Sequence, residues 1–308
     1  MRHARSLFAV VAALAVATTP LAQAQPDQLP VPYGNGAMLR IAQTDWNGAV
    51  SGANDYSCKP TAAHPKPVVL VGSTFLSEAV NWTALAPYLH NRGYCVFTLN
   101  FGRTMYQVGP GLNGMDPIPM SAPEVAALVD RVRATTGAAK VDIVGHSQGG
   151  AVARYYVNEL GGADKADQVV LLSSPYTLTG APFDLTAIGR STIPKPLYDA
   201  VLYNGVVPPV PFVLMDPWAI GKTQLLQPHI RYSQITSSTD ELGLLGGMYP
   251  PAGATNATTQ LINEVCPTDL SQHFAQPYSP TAVAMIGNVL DPAAPEPVPC
   301  TVVPLYAP

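Results

Sequence analysis

The residues VDIVGHSQGG at positions 141–150 indicate the fold of this chain. Val141 to Val144, in which three apolar β-branched residues surround Asp142, predicts a short strand buried in a sheet. The next residues fit the pattern G-x-S-x-G, and a helical pattern from Ala151 to Leu160 follows at once. A serine on a tight turn between a buried strand and a helix is exposed at the carboxyl edge of a parallel sheet, where it can act as a nucleophile. The other interpretation is an incidental serine in a glycine-rich turn.

Further strand and helix patterns lie on both sides of this stretch. Apolar and β-branched runs predict strands at residues 68–71, 94–99, 168–173 and 230–235. Asn81 is expected to cap a helix that runs to Asn91, and Ser121 to Glu124 forms a capping box that is expected to open another. A last helix is expected from Ser279 to Leu290. Such alternation predicts an α/β fold, with a mostly parallel central sheet and helices on both faces.

The ends of the predicted domain are set by composition. Arg2 and Arg5, an apolar run and Ala22-Gln23-Ala24 form the layout of a secretory signal peptide over residues 1–24. Cleavage near Ala24 would leave residues 25–308 as one exported domain. No other segment is apolar for long enough to span a membrane, so we expect no membrane span.

A proline- and glycine-rich excursion over residues 174–228 interrupts the alternation, and loops of this size in a compact domain are usually functional caps or lids. We expect a cap that offers an apolar acyl site or meets a lipid surface, although an extra layer of core packing is the other interpretation. Its apolar side chains include Leu178, Phe183, Leu185, Ile188, Val206, Val207, Val210, Phe212, Val213 and Leu214.

Charge and cysteine content exclude several classes of protein. The 16 basic and 20 acidic residues give a net charge of −4, so a basic surface for nucleic acid is not expected. The 4 cysteines are an even number, which in an exported chain suggests two disulfides. Three pairings are possible, and the sequential one is the simplest. A zinc site is not expected, because no two cysteines lie two to four residues apart.

A serine nucleophile needs a base, and in a fold of this kind the acid and then the histidine follow the serine along the chain. Only His229 and His273 follow Ser147, and His229 precedes a predicted strand, at the wrong edge of the sheet. His273 is therefore the expected base. Asp240 is the expected acid, because it follows the predicted strand 230–235 at its carboxyl end. Glu241 is its main competitor, and the weaker ones are Asp216, Glu264 and Asp269.

Two backbone N–H groups are expected to stabilise an oxyanion beside Ser147. One belongs to Gln148, at the start of the predicted helix. The second is expected from the loop after strand 68–71, where Thr74 is the candidate and Phe75 the alternative.

Several local motifs resemble the secreted bacterial lipases of the lipase class 2 family. They are Tyr56-Ser57-Cys58, VVLV at 68–71, Asn81-Trp82, residues 93–97, GHSQGG with Arg154-Tyr155-Tyr156, and Cys266-Pro267 with His273 and Cys300. The residues Ser147 to Gly150 and Thr239 to Glu241 are also similar to a yeast lipase of the α/β-hydrolase superfamily.

The resemblance implies an α/β-hydrolase fold and hydrolysis of triacylglycerols or other carboxylic esters through an acyl-enzyme, without metal or other cofactor. It implies Ser147 as nucleophile, Asp240 as acid and His273 as base, and it supports the disulfides Cys58–Cys95 and Cys266–Cys300. One departure is that Gly72-Ser73 stands where members commonly carry His-Gly before the oxyanion threonine.

The expected function is that of a secreted serine lipase whose partner is a lipid or ester substrate at a lipid–water interface. A short-chain esterase or a polyester hydrolase with the same triad is the nearest alternative, and a transacylase would differ in its acceptor. A catalytically silent binding protein is disfavoured, because all three triad members are present in order.

Overall fold

A six-stranded sheet forms the centre of the protein. The computed structural model describes residues 28–103, 111–177, 194–197, 217–245 and 247–305. Every neighbouring pair of strands is parallel, and the strand order is β2-β1-β3-β4-β5-β6. The strands are β1 (Val68–Val71), β2 (Val96–Leu99), β3 (Val141–His146), β4 (Ala166–Leu172), β5 (Arg231–Thr236) and β6 (Ala257–Leu261). The expected parallel sheet is confirmed.

Helices connect the strands and cover both faces of the sheet. The α-helices are α1 (Asn35–Thr44), α2 (Glu78–Trp82), α3 (Leu85–Asn91), α4 (Ile118–Thr136), α5 (Gln148–Glu159), α6 (Pro217–Thr223), α7 (Ile262–Val265) and α8 (Pro280–Leu290). Short 3₁₀ turns cover Gly162–Asp164, Glu241–Leu245 and Gln276–Tyr278. No helix in these ranges is both long enough and apolar enough to cross a bilayer.

Two hydrophobic layers lie on opposite faces of the sheet. Val69 and Val71 of β1 pack with residues of α4 and α5 in one layer. Val68 and Leu70, which alternate with them, pack with residues of α3 and α8 in the other. Because side chains alternate between the faces of a strand, a strand buried on both faces is apolar at every position, as VVLV is.

The predicted starts of two helices are wrong. Asn81 does not cap a helix; it lies inside α2, which Ser77 caps by accepting the N–H of Val80, and α3 then begins separately at Leu85. The helix expected from Ser121 begins three residues earlier, at Ile118. Glu124 accepts the N–H of Gly102 instead of closing a capping box.

Only the ends of the 174–228 excursion and residues 194–197 within it are described. Residues 178–193 and 198–216, which include all ten of its apolar side chains named above, lie outside the described residues, as does the expected signal peptide at 1–24. The buried guanidinium of Arg154 on α5 donates to the carbonyl oxygens of Pro175 and Thr223. One side chain therefore ties both ends of the excursion to α5.

Two disulfides join Cys58 to Cys95 and Cys266 to Cys300. This is the sequential pairing that the sequence favours. The first closes a loop of 37 residues and the second one of 34 residues. Loops of this length contribute about 4 kcal/mol each to stability in the chain-entropy model.

A buried carboxyl at the amino end of β3 makes stability depend on pH. The Asp142 side chain is 2% exposed, and Lys66 Nζ lies 3.7 Å from its Oδ1. Burial raises the pKa of Asp142 to about 6, and the charge of Lys66 offsets this only in part. The folded protein thus holds a proton that the unfolded chain releases near pH 4, so this group makes the fold less stable as the pH rises from 4 to 6.

We predict that Asp142→Asn removes this dependence and raises the free energy of unfolding at pH 8 by roughly 3 kcal/mol. Urea denaturation at pH 4.5 and pH 8 would measure it. Asp167→Asn is the matched control with the opposite sign, because Lys66 and Arg231 outweigh burial and hold the pKa of Asp167 below its ordinary value. An equal effect of Asp142→Asn at both pH values would contradict the prediction.

Candidate active site

Ser147 occupies the turn between β3 and α5 in a strained conformation. Its φ of 55° and ψ of −124° are rare for a residue with a Cβ. Glycines allow the turn to be this tight: a Cβ on Gly149 would lie 2.1 Å from the carbonyl oxygen of Val71, and one on Gly145 would lie 2.5 Å from the Cα of Gly150. Strained residues of this kind are concentrated at functional sites.

Asp240 and His273 form a buried pair. His273 Nδ1 lies 3.1 Å from Oδ1 and 3.0 Å from Oδ2 of Asp240, and both side chains are 1% exposed. Since an ionised carboxylate only accepts, Nδ1 donates to it, and in the neutral imidazole Nε2 then has a free lone pair. Nε2 is buried and makes no hydrogen bond within the described part of the chain.

Four donors hold the Asp240 carboxylate in place. Besides His273, the N–H groups of Leu242 and Gly243 donate to Oδ1, and Gln276 Nε2 donates to Oδ2 at 2.9 Å. Burial opposes the negative charge, but the hydrogen bond and charge of His273 outweigh it and hold the pKa of Asp240 below its ordinary value.

The competing candidates lie elsewhere. Glu241 accepts the backbone N–H of His273 at 3.0 Å, whereas the ring of that histidine contacts Asp240. His229 lies just before the amino end of β5 and contacts the carbonyl oxygen of Ala163. Asp269 accepts from Ser271 and Ser279, Glu264 lies on α7, and Asp216 lies outside the described residues.

The loop after β1 approaches the start of α5. Thr74 Oγ1 donates to Gln148 Oε1 at 2.9 Å, so the residues of the two expected oxyanion donors are in contact. The N–H of Phe75 is already bonded to the carbonyl oxygen of Asn113 at 2.7 Å. Of the two N–H groups that the sequence left open in this loop, that of Thr74 is the better candidate.

His146 connects this loop to His273, which the sequence did not suggest. Its Nε2 lies 3.1 Å from the carbonyl oxygen of His273, and its Nδ1 lies 3.0 Å from Asn81 Oδ1. The same Asn81 oxygen accepts both the N–H and the hydroxyl of Ser73. The departure at Gly72-Ser73 is therefore accommodated, because Asn81 fixes the Ser73 side chain.

His146 is uncharged at neutral pH. Burial lowers its pKa to about 3, and the nearby His273 acts in the same direction. Its ring centroid lies 5.0 Å from that of His273. The fold therefore keeps a neutral imidazole beside the expected base. Nothing in the pattern G-x-S-x-G indicates this role, since its second position is free.

Metal ligands do not gather at this site. Within the described ranges, no three or more His, Cys, Asp or Glu side chains form a group that could hold a metal ion.

Comparison with known proteins gives one family match. Residues 65–177, which contain β1 to β4 and Ser147, match the sequence model of the family "Lipase (class 2)". Among solved structures, the mature lipase BlEst2 of Bacillus licheniformis has a TM-score of 0.48 at 14% identity, over 79% of this chain and 95% of that one.

Two other solved structures are similarly distant. For Aspergillus fumigatus lipase B the TM-score is 0.48 at 15% identity, over 81% and 56% of the two chains. For MGS-MChE2, an alpha/beta hydrolase from a metagenome of sediments of the lagoon of Mar Chica, Morocco, it is 0.46 at 15% identity, over 75% and 91%.

We predict that Gly149→Ala destabilises the protein by about 3 kcal/mol, because the new methyl group would overlap the carbonyl oxygens at the end of β1 and backbone cannot move aside as a side chain can. Gly36→Ala in α1 is the matched control. A Cβ there has no atom within 4 Å, so this variant should be unchanged or more stable by up to about 1 kcal/mol. Chemical denaturation measures both. A Gly149→Ala protein with the wild-type midpoint would refute the clash.

Proposed function

We propose that the chain belongs to the class 2 lipase family of α/β-hydrolases, whose model matches residues 65–177, and that it hydrolyses carboxylic esters with Ser147, His273 and Asp240 as its catalytic triad. The observation that carries the proposal is the buried Asp240–His273 pair. Nε2 of His273 has no hydrogen-bond partner in the described part of the chain, and the backbone carbonyl of His273 is bonded to His146, the neighbour of Ser147. That hydrogen bond, from His146 to the His273 carbonyl, brings the base to the strained turn.

The reaction proceeds in two halves. Ser147 Oγ attacks the ester carbonyl while His273 Nε2 accepts the hydroxyl proton. The tetrahedral oxyanion accepts hydrogen bonds from the N–H groups of Thr74 and Gln148. His273 then gives its proton to the departing alcohol, which leaves an acyl group on Ser147. A water molecule repeats the same steps on the acyl-enzyme and releases the carboxylic acid.

Two neighbouring side chains act on the imidazolium that His273 forms during the proposed reaction. Asp240 is ionised and bonded to Nδ1, so it stabilises the imidazolium that forms when Ser147 is deprotonated. His146 is close enough to repel that cation if it were charged, and burial keeps it neutral. The two histidine rings can therefore pack closely, because only His273 takes up a proton during the proposed reaction.

The finer proposal is a secreted triacylglycerol lipase. The family match and the apolar composition of the 174–228 excursion support a fatty-acyl substrate. The two disulfides and the basic, then apolar, start of the chain support export with cleavage near Ala24. A short-chain esterase with the same triad is the alternative, and chain-length preference separates the two.

We predict that wild-type protein hydrolyses long-chain p-nitrophenyl esters and emulsified triglyceride, and that Ser147→Ala folds but retains less than about a thousandth of the rate. Labelling of Ser147 by a fluorophosphonate, read by mass spectrometry, would identify the nucleophile independently of the ester. Activity on short soluble esters alone would keep the triad and reject the lipase assignment. A Ser147→Ala protein with most of its activity would reject the triad.

We predict that Asp240→Asn lowers kcat/KM on the order of a thousandfold or more. Three donors besides His273 already face this side chain, so an amide NH₂ group there would meet N–H groups and fail to hold the Nδ1 proton.

The neighbouring variant Glu241→Gln is the matched control. Its amide oxygen can still accept the His273 N–H, so kcat/KM should stay within about tenfold of wild type. If Glu241→Gln were the more damaging change, Glu241 rather than Asp240 would be the acid.

A further inference from the structure

Gln276 contacts the carboxylate that holds the proposed base. It lies three residues after His273, in the 3₁₀ turn Gln276–Tyr278, and it is fully buried. Its Nε2 donates to Asp240 Oδ2 at 2.9 Å, and the same oxygen lies 3.0 Å from His273 Nδ1. The backbone of Leu242 and Gly243 fixes Oδ1, so Gln276 acts on the other oxygen of the carboxylate.

The orientation of the Gln276 amide follows from its partners. An ionised carboxylate only accepts hydrogen bonds, so the NH₂ group must face Asp240 and the amide oxygen must face away. That oxygen lies 2.5 Å from the hydroxyl of Ser173, which donates to it. Since a hydroxyl has one proton, Ser173 must in turn accept from Thr236 Oγ1, which lies 2.9 Å away.

These bonds form a chain in one direction, from Thr236 to Ser173, to Gln276 and to Asp240. Thr236 ends β5, Ser173 follows the end of β4, and Gln276 belongs to the segment that carries His273. Ser173 also has a φ of 46°, a conformation that is uncommon for a residue with a Cβ. Hydrogen bonds aligned head to tail strengthen one another.

We propose that Gln276 is a positioning residue of the triad, which holds Asp240 in register with His273 and is itself oriented by Ser173. This rests on the proposed function, because it assumes that His273 is the base. Gln276 touches no reacting atom. It fixes the rotation of the carboxylate and thereby the direction in which the His273 ring presents Nε2.

The experiment compares Gln276→Met with wild type by kcat and KM, each corrected for the active sites titrated with a fluorophosphonate. Methionine keeps the volume and removes both the donor and the acceptor. Because the variant loses a hydrogen bond to a charged group, we expect kcat per titrated site to fall roughly ten- to a hundredfold, at unchanged KM. Gln234→Met is the matched control, since Gln234 is equally buried but contacts Met248 and not the triad. It should keep the wild-type kcat per titrated site.

A double-mutant cycle tests the link through Ser173. Ser173→Ala should lower kcat per titrated site severalfold in the wild-type background and have no further effect in Gln276→Met. An equal effect of Ser173→Ala in both backgrounds would overturn the proposal, as would a Gln276→Met protein with wild-type kcat per site. If Gln276→Met does not fold, Ser173→Ala alone decides: a wild-type kcat would overturn the proposal.

Phosphonate labelling separates the failure of this proposal from the failure of the proposed function. A folded wild-type protein that neither turns over esters nor labels at Ser147 would reject the triad itself. If the wild-type protein turns over esters and Gln276→Met labels at the wild-type rate, only the role of Gln276 is rejected.

Discussion

The close approach of α5 to the end of β1 is the constraint on which the site depends. Gly149 lies against the carbonyl oxygen of Val71 with no room for a side chain, and this contact forces the strained turn at Ser147. With α5 held there, every group that is to act at Ser147 must come from the carboxyl ends of the neighbouring strands. The loop at Thr74 follows β1, Asp240 follows β5, and His273 arrives from beyond β6.

A buried polar network then replaces water around the site. Asp240 carries the negative charge of this network, and donors from backbone and from Gln276 surround it. His146 is neutral, so it has one N–H, which it donates to the backbone carbonyl of His273, and its Nδ1 lies beside Asn81. Such a network is stable only when its members are hydrogen-bonded, and it then fixes one geometry. The loops that carry Thr74 and His273 are therefore held with respect to each other as well as to Ser147.

The sequence predicts the features that local patterns determine. The runs at 68–71 and 141–144 predict β1 and β3 because these strands are buried on both faces, whereas β6, with the polar sequence ATTQL at the sheet edge, has no such run and was missed. The wrong helix starts have a common cause. Asn81 and Glu124 are typical capping residues, but contacts with His146 and Gly102, distant in sequence, use their side chains. Gln276 was missed for the same reason, because its partners Asp240 and Ser173 lie far away along the chain.

Arg154 ties the two ends of the 174–228 excursion to α5. Its buried guanidinium bonds to the carbonyl oxygens of Pro175 and Thr223, near the two ends of the excursion, and lies 4.9 Å from the ring centroid of Tyr176. Burial lowers the pKa of Arg154 to about 10, which still leaves it charged at neutral pH. Two carbonyl oxygens and the aromatic face of Tyr176 hold this charge. Both ends of the excursion are thereby held against α5, the helix that Ser147 precedes.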